Sequence, residues 1–290
     1  MIIPHSASAD IAAVAAHYDD MDDLYRSIWG SNLHHGYWRT GKESVEEAVL
    51  NLTHLIARLA SIQSGDRVCD IGCGYGATAL TLNRAYGATV TGLTVSPKQH
   101  HRAETAAAGN PHVDFLLRDA SHNGLDADSY DAVIAIESSE HIADKPRLFA
   151  EAQRILRQGG RCVIAAWLAC ERPNQWQTRY LLEPICAEGR LPSMASVAEY
   201  RTMIENAGFQ NVEFLDLTRN VKKTWTVCAL RVIKKSLVDP AFRRRLFDQE
   251  FTNRVFAKTL FRIRLAYETG AMRYGIFSAL NGSSDGRTVT

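Results

Sequence analysis

The pattern of apolar and polar positions changes near residue 63 of the chain. From residue 9 to about residue 59 the pattern is helical, and the loop sequence GSNLHHGYWRTGKES interrupts it. After that point, short apolar runs of strand length alternate with helical stretches of roughly 10 to 15 residues. This alternation predicts βαβ units and therefore an α/β fold built on a parallel sheet that helices cover.

Seven apolar runs have the length and composition of strands. They comprise residues 67–72, 88–94, 112–119, 130–138, 161–168, 209–217 and 271–280. The last two are separated by a long, mostly helical segment, which we interpret as a cap over the sheet and not as an independent domain.

Composition and charge exclude several classes of protein. Apolar residues make up 46% of the chain and charged residues 22%, as in ordinary globular proteins. A net charge of +1 gives no electrostatic reason to expect nucleic acid as a partner. Neither a membrane-spanning run nor a signal-peptide pattern is present. The six cysteines form no C-x-x-C pair. We therefore expect a reduced, cytoplasmic protein without stable membrane insertion.

The sequence VCDIGCGYGATA contains a glycine-rich turn between a strand and a helix. Asp70 ends the strand, and Gly72, Gly74 and Gly76 follow at alternate positions. Glycines allow the backbone to approach a ligand closely, and the start of the next helix offers free N–H groups to it. Strand-to-helix turns often contain glycines for structural reasons alone. A nicotinamide-dinucleotide site would normally read G-x-G-x-x-G, whereas the third glycine comes one residue early here.

Polar residues also follow the next three predicted strands. They occur in GLTVSP with the following Gln99, in LLRDA, and in IAIESSEHIADK. The carboxyl ends of parallel strands open into one crevice, so these residues are expected to share a site with the glycine turn. Within the last sequence, Glu137 and His141 are suited to moving a proton or stabilising a cation.

The pattern D-x-G-x-G-x-G resembles that of class I methyltransferases, which bind S-adenosyl-L-methionine. Five further stretches, IWGSNLHHGYW, GLTVSP, IESSEHIADK, LPSMASVAEY and YETGAMRYGI, resemble the tocopherol methyltransferase group, close to the sterol C-methyltransferases. The resemblance extends over residues 18–280. It implies a Rossmann-like sheet of seven strands with the last one antiparallel, N-terminal helices, and a helical cap inserted before the last strand.

The resemblance also implies an organisation of the chain. N-terminal helices and a lid loop occupy residues 1–62, and the cofactor-binding core occupies residues 63–218. The cap comprises residues 219–270, the final core strand lies in residues 271–282, and a disordered tail follows in residues 283–290.

Cofactor-binding residues are assigned by the same resemblance. The usual acid at the end of the second strand is absent, and in this group a threonine or serine with the S-P turn replaces it. The predicted cofactor contacts are Tyr18, Asp70, Gly72, Gly74, Gly76, Thr94, Ser96, Gln99, Asp119, Ala120 and Glu137. The predicted catalytic residues are Glu137, His141 and His35. Glu137 and His141 could also have simpler roles, as a cofactor ligand and a helix cap.

The sequence HHGYW at residues 34–38 allows three interpretations. Adjacent histidines on a loop lack the i, i+4 spacing of a two-histidine metal face, so we predict no metal site. The loop could simply be anchored by Tyr37 and Trp38. We favour a lid that closes the pocket, in which His34, Tyr37 and Trp38, together with the distant Trp225, contact the substrate.

These observations predict an S-adenosylmethionine-dependent methyltransferase that acts on a small lipophilic acceptor, with methylation at carbon favoured. The alternatives are an O- or N-methyltransferase of a polyketide, alkaloid or glycosylated natural product, and a non-methylating cyclase on the same fold. A nicotinamide oxidoreductase is a distant fourth interpretation. A homodimer is compatible with the sequence, which does not identify the acceptor.

Overall fold

The computed structural model describes residues 3–4, 11–30, 32–247 and 253–282 of the chain. The strands in chain order are β1 (Ile3–Pro4), β2 (Arg67–Ile71), β3 (Thr89–Thr94), β4 (Val113–Leu117), β5 (Tyr130–Ile136), β6 (Leu156–Ala169), β7 (Ser193–Met194), β8 (Phe209–Asp216) and β9 (Met272–Asn281). All seven predicted strands are present as β2–β6, β8 and β9. The tail predicted to be disordered lies outside the described residues.

The central sheet has the strand order β4-β3-β2-β5-β6-β9-β8. Strands β2 to β6 pair in parallel, whereas β9 runs antiparallel to both of its neighbours, β6 and β8. This is the predicted methyltransferase sheet of seven strands with an antiparallel last strand. Since β2 lies between β3 and β5, the chain reverses its direction of growth there, and a crevice opens beyond the carboxyl ends of these strands.

Helices fill the connections between the strands. In chain order they are α1 (Ile11–Ile28), α2 (Val45–Leu59), α3 (Ala77–Tyr86), α4 (Pro97–Ala107), α5 (Lys145–Ile155), α6 (Gln175–Gln177), α7 (Glu183–Glu188), α8 (Val197–Asn206), α9 (Thr218–Val221), α10 (Lys223–Val238), α11 (Pro240–Phe247) and α12 (Asn253–Glu268). Short 3-10 turns cover Ala120–His122 and Ser139–His141, and a π-helical turn covers Thr178–Leu182.

The core forms two apolar layers, one on each face of the sheet. Successive residues of a strand point to opposite faces, so Val68 packs in one layer and Cys69 in the other. Leu82 of α3 belongs to the first layer, and Phe149 of α5 and Tyr200 of α8 belong to the second. Because both faces are covered, the central strands consist of almost continuous apolar residues, which explains the strand pattern in the sequence.

Helices α9 to α12 occupy the segment between β8 and β9 that the sequence predicts to be a cap. The α1 helix and the loop before α2 approach the same side of the molecule. Ile28 at the end of α1 accepts a hydrogen bond from Arg231 of α10 through its carbonyl oxygen. The N-terminal segment and the cap therefore contact each other above the sheet.

The helices and the cysteines bear on the predicted location and redox state of the protein. Among the residues that the structure describes, no helix has both the length and the apolar composition needed to cross a membrane. The six cysteines are free thiols, five of them buried and Cys170 partly exposed.

Candidate active site

Two adjoining cavities lie at the carboxyl ends of the central strands. The larger has a volume of about 260 Å³ and is bounded by the ends of β2 to β5, by α1 and by the loop before α2. The smaller has a volume of about 110 Å³ and extends toward the cap. Tyr18, Leu33, Glu137 and His141 line both cavities. These four residues therefore form a common wall between two chambers.

The three glycines of the turn after β2 have left-handed backbones, with φ of +73° at Gly72, +54° at Gly74 and +79° at Gly76. A Cβ atom at Gly72 would collide with Ser138, and one at Gly76 would collide with the ring of Phe115. A Cβ atom at Gly74 would meet nothing within 4 Å. Gly72 and Gly74 line the larger cavity, whereas Gly76 begins α3. Gly74 is thus the position where a side chain would project into open space in the site.

Asp70 lines the larger cavity and has an unsatisfied polar atom. Its side chain is buried, and its Oδ2 has no hydrogen-bond partner among the described residues. Burial raises the pKa of Asp70 to about 7. A buried carboxylate oxygen without a partner is costly, and a cationic ligand group would satisfy it.

The residues that follow β3 form a hydrogen-bonded turn. Thr94 donates its hydroxyl to Oε1 of Gln99 at 3.0 Å, and Ser96 caps α4 by accepting from the Gln99 N–H at 3.1 Å. The Ser96 hydroxyl also donates to Asp19 of α1 at 2.5 Å. Thr94 and Gln99 line the larger cavity, whereas Ser96 is not among its lining residues. Ser96 therefore acts on the cavity indirectly, by holding α1 against α4.

Asp119 and Ala120 follow β4, next to the end of β3, and line the larger cavity. Oδ1 of Asp119 accepts from the Ser121 N–H at 2.9 Å and caps the short turn that contains Ala120. Both residues, predicted as cofactor contacts, therefore lie on the same cavity as the glycine turn.

Glu137 occupies the end of β5 with a positive φ of +55°, an unusual conformation for a residue with a side chain. Its Oε1 accepts from the His35 backbone N–H at 2.7 Å and from the Tyr274 hydroxyl at 2.8 Å. Its Oε2 accepts from Nδ1 of His35 at 2.8 Å and from the Trp167 indole N–H at 2.9 Å. These four hydrogen bonds occupy the lone pairs that a carboxylate offers.

The charge of Glu137 follows from these contacts. Burial alone would raise the pKa of its carboxyl group, but His35 and the hydrogen bonds that it donates lower the pKa to about 2. Glu137 is therefore ionised at neutral pH. Its lone pairs are already taken, so the geometry suits a residue that positions His35 better than one that removes a substrate proton.

His35 lies on the smaller cavity within a ring of aromatic side chains. The ring centroids of Trp167, Trp225 and Tyr274 are 5.4, 5.2 and 5.0 Å from that of His35. The Trp225 indole N–H donates to Nε2 of His35 at 2.6 Å. Since an indole can only donate, Nε2 accepts and the proton resides on Nδ1, which donates it to Glu137. Both ring nitrogens of His35 are therefore engaged in hydrogen bonds.

His141 and Tyr18 form the second polar pair of the common wall. The Tyr18 hydroxyl lies 2.8 Å from Nε2 of His141. Burial lowers the pKa of His141 to about 3, so the imidazole is neutral at neutral pH. Both residues of this pair line both chambers, whereas His35 lines only the smaller one.

The loop residues His34, Tyr37 and Trp38 are divided between two roles. His34 lines the larger cavity, and its Nδ1 lies 2.9 Å from the His35 carbonyl oxygen. Tyr37 donates its backbone N–H to Ala48 of α2, and Trp38 donates its indole N–H to Thr224 of α10.

Neither Tyr37 nor Trp38 lines the two cavities. Their contacts correspond to the anchor interpretation of the loop, because both residues use their polar groups to hold it in place. Trp225, the fourth residue predicted to contact the substrate, does line the smaller cavity.

The sequence analysis missed three residues near the common wall. Trp167 and Tyr274 donate to Glu137, and Glu140 lines the smaller cavity. Burial raises the pKa of Glu140 to about 7. The only signal for Trp167 and Tyr274 in the sequence is an aromatic residue with a polar tip at the end of an apolar strand, where such residues usually find a partner.

Comparison with known proteins decides the family. The model of the mycolic acid cyclopropane synthetase family matches residues 5–270. The chain belongs to this family. The predicted resemblance is confirmed, and with it the enzyme class of S-adenosylmethionine-dependent methyltransferases.

Several characterised proteins are similar over most of the chain. The 27-O-demethylrifamycin SV methyltransferase of Amycolatopsis mediterranei (strain S699) is 31% identical over 266 residues, covering 90% of this chain and 94% of the relative. The chloroplastic tocopherol O-methyltransferase of Arabidopsis thaliana is 28% identical, covering 73% of this chain and 67% of the relative.

Solved structures share the fold. The mycolic acid cyclopropane synthase CmaA1, complexed with SAH and CTAB, has a TM-score of 0.82 at 20% identity, covering 93% of this chain and 98% of that one. The cyclase SpnF has a TM-score of 0.81 at 23% identity, covering 97% of this chain and 99% of that one.

The larger cavity fits S-adenosylmethionine on two observations. The unpaired Oδ2 of Asp70 suits an ammonium group, and the space above Gly74 allows a ligand to contact the backbone. Thr94, Gln99, Asp119 and Ala120 line the remainder of the same cavity.

Replacing Gly74 with valine should abolish cofactor binding, because the side chain would project into the larger cavity. Calorimetry with S-adenosylhomocysteine measures this effect. Gly109→Val is the matched control, since Gly109 also has a left-handed backbone, with φ of +81°, and open space around it. Both variants bear a similar backbone strain, but only Gly74→Val should lose binding. Normal affinity in Gly74→Val would contradict the assignment of the turn.

Cofactor binding should depend on pH through Asp70. Its pKa of about 7 in the free protein means that lowering the pH protonates the carboxylate before it can pair with an ammonium group. Affinity for S-adenosylhomocysteine should therefore fall below pH 7, by up to about tenfold per pH unit, and level off above it. Asp70→Asn should bind more weakly and without this dependence. Equal affinity of the wild type at pH 6 and pH 8 would exclude the pairing.

Proposed function

We propose that the protein transfers a methyl group from S-adenosylmethionine to a hydroxyl group of a small lipophilic acceptor, with His141 as the general base. One observation carries the proposal above all. The hydrogen-bonded pair Tyr18–His141 lies on the wall shared by the cavity that fits the cofactor and the smaller cavity. A proton acceptor at that wall could reach an acceptor bound in the smaller cavity.

The lining of the smaller cavity supports a lipophilic acceptor. Its apolar and aromatic side chains are Met21, Trp29, Leu33, Trp167, Ile185, Leu191, Trp225, Leu260 and Ile263. Such a lining binds an apolar ring or chain and excludes water, which would otherwise compete as a nucleophile. Two relatives are named for acceptors of this lipophilic kind, a rifamycin derivative and tocopherol.

The chemistry divides between the cofactor and the chain. S-adenosylmethionine supplies an electrophilic methyl group whose positive charge is lost on transfer. Asp70 and the turn at Gly74 hold the donor side in place, and much of the rate enhancement comes from this alignment with the acceptor.

His141 takes up the proton that the acceptor hydroxyl loses. In the structure the Tyr18 hydroxyl lies 2.8 Å from Nε2 of His141, and a hydroxyl group that donates one hydrogen bond can also accept one from a substrate O–H group. The proton then passes from the acceptor to Tyr18 as the Tyr18 proton passes to His141. One positive charge is present in the site before and after the reaction, which offsets the cost that burial imposes on a protonated His141.

The proton route at the common wall favours oxygen over the carbon acceptor that the sequence analysis favoured, because a hydroxyl group has a proton to lose and an alkene does not. Methylation of an alkene would instead leave a carbocation, which an anion or the faces of the aromatic rings on the smaller cavity would have to stabilise. O-methylation is also the reaction printed in the names of several relatives.

Products from a panel of lipophilic alcohols, phenols and matching alkenes should separate these reactions. With isotopically labelled S-adenosylmethionine, mass spectrometry should detect one added methyl group, and proton NMR should locate it on oxygen. The matching alkenes should give no product. Methyl groups found on carbon would overturn the proposed reaction while leaving the methyltransferase class intact.

His141→Ala should lower turnover by about 10²- to 10⁴-fold, the usual cost of losing a general base, while affinity for S-adenosylhomocysteine stays near that of the wild type. Tyr18→Phe should also reduce kcat, because the relay loses its hydroxyl group. His101→Ala is the control, since His101 is exposed on α4 and outside both cavities. Wild-type turnover in both His141→Ala and Tyr18→Phe would exclude the proposed proton route.

A further inference from the structure

The cap exposes an unusual number of large apolar side chains. Helix α10 carries four of them at helical spacing, and α12 carries two more, one turn apart. Their exposed fractions are 60% for Leu230, 51% for Ile233, 75% for Leu237, 73% for Val238, 65% for Phe261 and 43% for Leu265. We refer to these six residues as the cap stripe. Scattered exposed apolar residues are ordinary, but a contiguous group of this size indicates a binding surface.

Contacts between α10 and α12 show that the stripe is continuous. Lys222 at the start of α10 pairs with Glu268 at the end of α12, and Arg264 donates to the Thr226 hydroxyl one turn further along. The two helices are therefore antiparallel neighbours. One more turn in the same direction brings Leu230 beside Phe261. From there Ile233, Leu237 and Val238 continue the stripe toward α11.

Basic residues surround the cap stripe. Lys234 is exposed among its α10 members, Arg264 lies between Phe261 and Leu265, and Arg243 and Arg244 are exposed on α11. In the sequence, residues 222–268 contain 12 Lys or Arg and 4 Asp or Glu, a net charge of +8, whereas the rest of the chain sums to −7. The near-zero net charge of the whole protein therefore conceals a strong separation of charge.

We propose that the cap stripe and its basic neighbours dock the protein on an anionic lipid surface. Aliphatic side chains at helical spacing enter the boundary between head groups and acyl chains, and lysine and arginine side chains pair with the anionic head groups. The contact is peripheral, because the protein lies on the bilayer and spans no part of it.

The position of the stripe relative to the smaller cavity supports a lipid surface as the occupant. The inward face of α12 contributes Thr259, Leu260 and Ile263 to that cavity, and the outward face carries Phe261 and Leu265. A lipophilic molecule dissolved in the bilayer would therefore be separated from the cavity by the width of a single helix. The docking itself does not depend on which atom is methylated.

Charge argues against a second copy of the chain on this surface. Two caps that meet through the same patch would bring together two segments of net charge +8, which repel each other. An acidic protein would also match the charge, but it would not account for the position of the stripe one helix away from the apolar smaller cavity.

Co-flotation of the full-length protein with lipid vesicles tests the proposal. The vesicles consist of phosphatidylcholine alone, or of phosphatidylcholine with about one quarter phosphatidylglycerol as the anionic component. The protein should float with the anionic vesicles, bind the neutral vesicles at least tenfold more weakly, and be released by high salt.

Two sets of variants separate the apolar and the charged contributions. The double variant Leu237→Ser and Val238→Ser should lower binding to anionic vesicles by about tenfold or more. Its control is Leu117→Ser with Leu215→Ser, which removes two exposed leucines of β4 and β8, outside the cap, with exposed fractions of 47% and 41%. Lys234→Gln should lower binding by about fivefold. Its control is Arg84→Gln, which removes an equal charge from an exposed position at the end of α3.

Several results would overturn the proposal. Failure of the wild type to float with anionic vesicles excludes docking, and equal losses in the test and control variants exclude this surface. If Lys234→Gln loses binding while the serine double variant binds fully, the protein adsorbs to the vesicles through charge alone. If the wild type is a dimer in solution and the serine double variant is a monomer, the cap stripe binds a second copy of the chain. Unchanged affinity for S-adenosylhomocysteine verifies that each variant is folded.

Discussion

The ionised carboxylate of Glu137 is the interaction on which the site depends. It stands at the end of β5 and accepts two hydrogen bonds from His35 in the loop before α2, one from Trp167 of β6 and one from Tyr274 of β9. A buried carboxylate is tolerated only when such donors replace water. Glu137 therefore joins the loop to three strands and fixes the wall between the two cavities.

Three titratable groups of the site have different charge states because their surroundings differ. Asp70 has no partner at Oδ2, and burial raises its pKa to about 7. The Glu137 side chain is also shielded from solvent, yet His35 and the hydrogen bonds that it donates lower the pKa of that carboxyl group to about 2. Burial also lowers the pKa of His141 to about 3. A carboxylate that is satisfied by the protein serves structure, whereas one left unsatisfied is available to a ligand.

The two faces of helices α10 and α12 in the cap have different surroundings. Inward-facing residues such as Trp225 and Ile263 complete the smaller cavity, and outward-facing residues such as Leu237 and Phe261 are exposed. The amphipathic pattern expected of a helix on a protein surface is thereby altered, because both faces of these helices carry apolar residues. Their basic residues concentrate positive charge on one side of the molecule.

The sequence by itself determined the sheet, since strands buried on both faces require apolar runs and the turn after β2 requires glycines at positive φ. It also indicated that Asp70, Gly74, Asp119 and His141 share one crevice, because parallel strands end at one edge. Only the tertiary structure decided the roles within that crevice. Tyr37 and Trp38 anchor the loop, and Trp167 and Tyr274 hold Glu137. Hydrogen bonds between different elements depend on side-chain directions that no local sequence pattern records; Trp38 and Thr224, for example, are 186 positions apart.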